Sequence, residues 1–69
     1  MENEILIIKN MGNETDAKKV LDAIEHVWGL MRAEVHLSQK EAVYSYDERM
    51  ASPQDFKQAV MEAGFEIAE

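Results

Sequence analysis

Few side chains in this chain of 69 residues could do chemistry. It has no cysteine, which excludes thiolate metal sites, disulfides, haem attachment and thiol nucleophiles. Asn13, Glu14 and Asp16 put three oxygen-bearing side chains within one turn, the donor type suited to a hard divalent ion such as Mn(II) or Ca(II). Such an ion takes about six to eight oxygens, so these three alone would hold it weakly. The same residues are what a helix start needs: Asn13 as N-cap, with Glu14 and Asp16 complementing the positive end of the helix dipole. His26 and His36 form no pair at ligand spacing. Met1, Met11, Met31, Met50 and Met61 are dispersed rather than clustered, which does not suit a thioether site for Cu(I). No nucleophile sits beside a base, and no carboxylate pair stands out. The sequence therefore predicts neither an enzyme nor a cofactor, with a weakly bound divalent ion at Asn13, Glu14 and Asp16 as the alternative.

Charge and hydropathy narrow the partners. Fourteen Asp plus Glu against 7 Lys plus Arg give a net charge of -7, and 46% apolar residues suffice for one small core, a single domain over 1–69. Basic residues are scattered, with only Lys18 and Lys19 adjacent, so nucleic acid is not an expected partner. The longest apolar run, Ile5 to Ile8, is far too short to span a bilayer, and no basic segment precedes an apolar leader. The expectation is a cytoplasmic protein with no membrane insertion.

The elements that must position these residues follow from periodicity. Glu4 to Lys9 is a β-branched run ending at the turn-prone Asn10-Met-Gly-Asn13, a first strand. Ala17, Val20, Leu21, Ile24, Val27 and Trp28 recur at helical spacing, giving a helix over about residues 14 to 28 that stops at Gly29. Ala33, Val35 and Leu37, then Ala42, Tyr44 and Tyr46, alternate with polar residues on either side of Ser38-Gln-Lys-Glu41, which predicts a hairpin. Ser52-Pro-Gln-Asp55 opens a second helix with Asp in the capping-box position. Its stripe of Phe56, Ala59, Val60 and Ala63 ends at Gly64, leaving Phe65 to Ile67 for a short strand. The order βαββαβ is the ferredoxin-like α+β sandwich, a four-stranded antiparallel sheet with two helices on one face.

From Ile5 to Ile67 the chain resembles the heavy-metal-associated domain of copper chaperones and of the amino-terminal modules of metal-transporting ATPases. The resemblance is carried by Met11 after the first strand, Val27-Trp-Gly-Leu30, Glu34-Val-His-Leu37, Tyr46-Asp47, Ser52-Pro-Gln-Asp55 and Glu62-Ala-Gly-Phe65. That family's loop reads GMxCxxC, with two thiolates for a soft ion. Here it is Asn10-Met-Gly-Asn-Glu-Thr-Asp16, and alignment on Met11 puts Asn13 and Asp16 in the cysteine positions. Neither supplies a thiolate, so high-affinity soft-metal binding is not expected. The resemblance implies a metallochaperone-like protein that acts by contact with a protein partner or a second copy of itself. The alternative is metal ion binding or transport through non-cysteine ligands, as a carrier or as a metal-ATPase module, and a free-standing chaperone and an excised ATPase module share this length.

Two surfaces could carry that contact. Strand alternation sends Ile5, Ile7 and Val43 to the face of the sheet away from the helices, where they should form an apolar patch. The family geometry would bring Met11 and Phe65 together beside the acidic start of the first helix, a surface suited to a basic partner. Trp28 is expected to pack over the end of the first helix, with an exposed anchor for a partner as the alternative.

Overall fold

The computed structural model describes residues 2–68. Its elements are β1 (Glu2–Ile8), α1 (Glu14–Glu25), β2 (Leu30–His36), β3 (Glu41–Tyr46), α2 (Pro53–Glu62) and β4 (Ile67–Ala68). The sheet order is β2-β3-β1-β4 with every pairing antiparallel, and the helices cover one face. The βαββαβ sandwich of the sequence analysis is therefore the observed fold. Met1, one of the dispersed methionines, lies outside the described residues.

Several boundaries move, each for a local reason. β1 begins at Glu2 because β3 offers a partner as far as Tyr46, and it ends at Ile8 rather than Lys9. α1 stops at Glu25, three residues before the predicted end at Trp28. There the His26 N–H reaches back to the Asp22 carbonyl and the ring Nδ1 donates to the same oxygen at 2.6 Å. Gly29 then turns the chain at a φ of +99°, a region open to glycine at little steric cost. Trp28 consequently does not pack over the helix end; it is 76% exposed. β2 starts at Leu30 and ends at His36, and Leu37 belongs to a single 3₁₀ turn, Leu37–Gln39, closed by Lys40 in the left-handed region. β4 is Ile67–Ala68, because Phe65 turns into the core before pairing begins. Ala63, expected on the buried stripe of α2, is the exposed C-cap.

The helix starts follow their sequence signals. The backbone N–H of Ser52 donates to Asp55 Oδ2 at 2.9 Å, so Asp fills the capping-box role with Pro53 in the first turn.

Between the layers, Leu6 and Ile8 of β1 meet Ala42, Tyr44 and Tyr46 of β3, Val20 and Ile24 of α1, and Phe56 and Val60 of α2. The centre is aromatic: the Phe56 ring lies 4.4 Å from Tyr44 and 5.3 Å from Tyr46, centroid to centroid. The Tyr44 hydroxyl is buried there with no hydrogen-bond partner among the described residues. Burial pushes its pKa up, and the nearby Glu4 carboxylate adds to the effect. A buried hydroxyl without a partner opposes folding. Tyr44→Phe is therefore expected to be neutral or to stabilise by up to about 1 kcal/mol, read as an unchanged or raised urea midpoint. A loss above about 1 kcal/mol would show that the hydroxyl is bonded in solution.

Candidate functional site

The loop between β1 and α1 sits where the sequence placed the candidate metal ligands. Its geometry begins with Met11, which is fully buried in the core cluster and anchors the loop from below. Asn10 braces it sideways. Its amide nitrogen donates to the Gly64 carbonyl at 3.3 Å, and its amide oxygen accepts from the Glu66 N–H at 2.8 Å. The Lys9 N–H adds a bond to the Glu66 carbonyl at 2.8 Å. The loop is thus joined to the segment leading into β4, a role for Asn10 that the sequence analysis missed. Turn preference explains an Asn at this position, but nothing local signals partners more than fifty residues away.

Asn13 and Asp16 are tied to the backbone rather than pointed at a common empty centre. Asn13 Oδ1 accepts from the Asp16 N–H at 2.8 Å, the N-cap bond of α1. Asp16 Oδ2 accepts from the Gly12 N–H at 3.1 Å. Each side chain satisfies a backbone donor at the helix start, and Glu14 adds a further negative charge to the first turn. No group of three or more His, Cys, Asp or Glu able to hold a metal ion occurs among the described residues.

The other expected surface at this end needs correction. Met11 is 0% exposed and Phe65 only 8%, so their side chains lie under the surface instead of forming it. Both end up in the core cluster, and the acidic residues Glu14 and Glu66 are the exposed groups beside them in sequence.

The opposite face of the sheet has the predicted arrangement. Ile5 pairs with Val43, Val43 with Glu34, and Ile7 with Glu41 and with Ala68. These residues share the face turned away from the helices, where Ile5 is 58% and Ile7 40% exposed and Val43 is partly exposed. Polar residues border them: His36 Nε2 lies 3.6 Å from Glu34 Oε2, and the Ser45 hydroxyl donates to Asn3 Oδ1. Apolar side chains next to one another across two strands form a patch rather than isolated exposures.

The architecture is shared with solved structures of a metallochaperone and of a metal-ATPase domain, and the loop after β1 holds no cysteine. Among solved structures, a copper binding domain from a P-type ATPase superposes with a TM-score of 0.91 at 27% identity, over 100% of this chain and 96% of that one. The N-terminal domain of PacS from Synechocystis gives 0.85 at 25% identity, over 100% of each chain. CopZ metallochaperone gives 0.92 over 97% of this chain and 100% of that chain, and at 22% identity this is a likeness of fold. No protein-family model matches the sequence, and no curated protein matches it.

Proposed function

We propose that the chain is a metallochaperone-like domain that has lost the thiolate site and works in the cytoplasm by protein contact, not by catalysis or soft-ion transfer. The observation that carries this reading is the state of Asn13 and Asp16. Aligned with the metal-binding cysteines of the resembling family, they engage backbone N–H groups of the loop and helix start. An amide oxygen and a carboxylate in those roles are poor ligands for a soft ion. What remains for function is surface, and the Ile5, Ile7 and Val43 face is the contact we assign, with a second copy of the chain as its occupant. Burying such a patch removes apolar area from water at roughly 25 cal/mol per Å².

Sedimentation equilibrium tests the contact. The unaltered protein is expected to sediment as a dimer at high concentration and Ile7→Lys as a monomer with an unchanged circular dichroism spectrum. Because each copy carries -7, added salt should strengthen the association by screening repulsion. The same monomer mass for both proteins at high concentration would contradict self-association through this face.

A further inference from the structure

The open face of the sheet carries charges as well as apolar side chains, and the strand register orders them. Cross-strand partners in an antiparallel sheet point to the same side. One level of the face holds Asn3 of β1, Ser45 of β3 and Arg32 of β2; the next holds Ile5, Val43 and Glu34; the third holds Ile7, Glu41 and His36. Side chains meet across and along the strands here: the Ser45 hydroxyl donates to Asn3 Oδ1, and His36 Nε2 lies 3.6 Å from Glu34 Oε2.

The charges at the two outer levels are unengaged. Among the described residues, neither the Arg32 guanidinium nor the Glu41 carboxylate takes part in an ion pair or a side-chain hydrogen bond. Glu34, on the level between them, pairs with His36 and not with Arg32. Lys9 and Lys40 follow Glu41 at its end of the sheet, and Lys40 Nζ donates to the Lys9 carbonyl at 3.4 Å instead of to Glu41. A cation and an anion thus flank the apolar level, about 13 Å apart along the strands at about 3.3 Å per residue.

That spacing is self-complementary. A two-fold axis lying in the face and crossing the strands at the Ile5 level exchanges the outer levels. Ile5 and Val43 then meet their own counterparts, and Arg32 of each copy comes over the level that holds Glu41 of the other, twice by symmetry. Packed sheets stand about 10 Å apart and neighbouring strands about 4.8 Å apart, a gap that extended arginine and glutamate side chains close between them. Glu34 comes near its own counterpart, but its side chain is 65% exposed and it stays at the rim between Arg32 and His36. An axis along the strands instead lays Ile7 on Glu41 of the other copy, which buries a carboxylate against an apolar side chain, and leaves Arg32 with no strand facing it.

We infer that the sheet-face dimer has the antiparallel register, specified by reciprocal ion pairs between Arg32 of one copy and Glu41 of the other. This assignment rests on the self-association proposed above and adds what fixes its orientation. Charged pairs beside an apolar patch set register and partner choice more than affinity.

Charge reversal tests the register by sedimentation equilibrium, with circular dichroism to check folding. Arg32→Glu and Glu41→Arg each place two like-charged contacts in the dimer and should weaken it at least about tenfold. Glu41→Arg is the sharper variant: it lowers the net negative charge of the chain, so general repulsion alone would strengthen its dimer. An equimolar mixture of the two variants restores both pairs and should associate nearly as tightly as the unaltered chain, as should the double variant Arg32→Glu/Glu41→Arg by itself. The register would be overturned, with the sheet face left as the interface, by a dimer that Ile7→Lys dissolves but neither charge reversal weakens. A Glu41→Arg dimer tighter than that of the unaltered chain, or a mixture no tighter than its components, would overturn it equally. An unaltered chain that stays monomeric, or that dimerises as well with Ile7→Lys, would overturn both the register and the sheet-face contact.

Discussion

The Asn13→Cys/Asp16→Cys double variant is expected to retain one Cu(I) per chain through desalting, where the unaltered chain retains none. The variant restores the two thiolates of the resembling family at the same interval, above a Met11 that is already buried under the loop. Polarizable sulfur in place of an amide oxygen and a carboxylate should tighten soft-ion binding by at least about three orders of magnitude. The substitution removes the N-cap bond and the Asp16 contact to Gly12, at about 1 kcal/mol for the cap. The metal-free double variant should therefore be slightly less stable than the parent, and Cu(I) should more than reverse the difference because binding favours the folded form. Atomic absorption after gel filtration checks the stoichiometry, and thermal melts with and without Cu(I) check the linkage. A folded double variant that retains no copper would show that this loop is not a displaced metal site.

Phe56→Ala should have the largest effect on stability. The ring is fully buried between two helices and the sheet, and its neighbours Tyr44 and Tyr46 lie within 4.4 and 5.3 Å. Truncating a buried Phe costs about 3–5 kcal/mol, and each lost aromatic contact adds to area burial by about 0.5–1.5 kcal/mol. A domain of this size has a total stability of roughly 3–10 kcal/mol at the usual 0.05–0.15 kcal/mol per residue. The variant is expected to be largely unfolded at 25 °C or to show a greatly lowered urea midpoint, with Phe56→Leu between it and the parent. A loss below about 1 kcal/mol would mean that the core collapses around the gap and that the aromatic centre contributes little.

Much of this fold was legible in the sequence because its signals are local. The twofold alternation from Ala42 to Tyr46 states which side chains meet the helices, and all three expected residues are buried. The same alternation sends Ile5 and Ile7 outward, as observed. Where local signals compete, the sequence misleads. Val27 and Trp28 continue the helical stripe of α1, yet the His26 bonds to Asp22 and the turn at Gly29 end the helix first. Val27 still packs on the core, and Trp28, one residue further, is left outside.

The candidate site divides along the same line. The capping role of Asn13 and Asp16 is a matter of a few adjacent residues and could be anticipated. The burial of Met11 and Phe65 together, and the Asn10 brace to Gly64 and Glu66, depend on segments that only the closed fold brings side by side.

Native mass spectrometry of the untagged protein, alone and titrated separately with Cu(I), Zn(II) and Mn(II), tests most directly whether this domain works without a metal. The account expects the bare chain mass, as monomer and dimer, in all four spectra. Stoichiometric metal that disappears in Asn13→Ala or Asp16→Ala would contradict it and restore a carrier role to the loop.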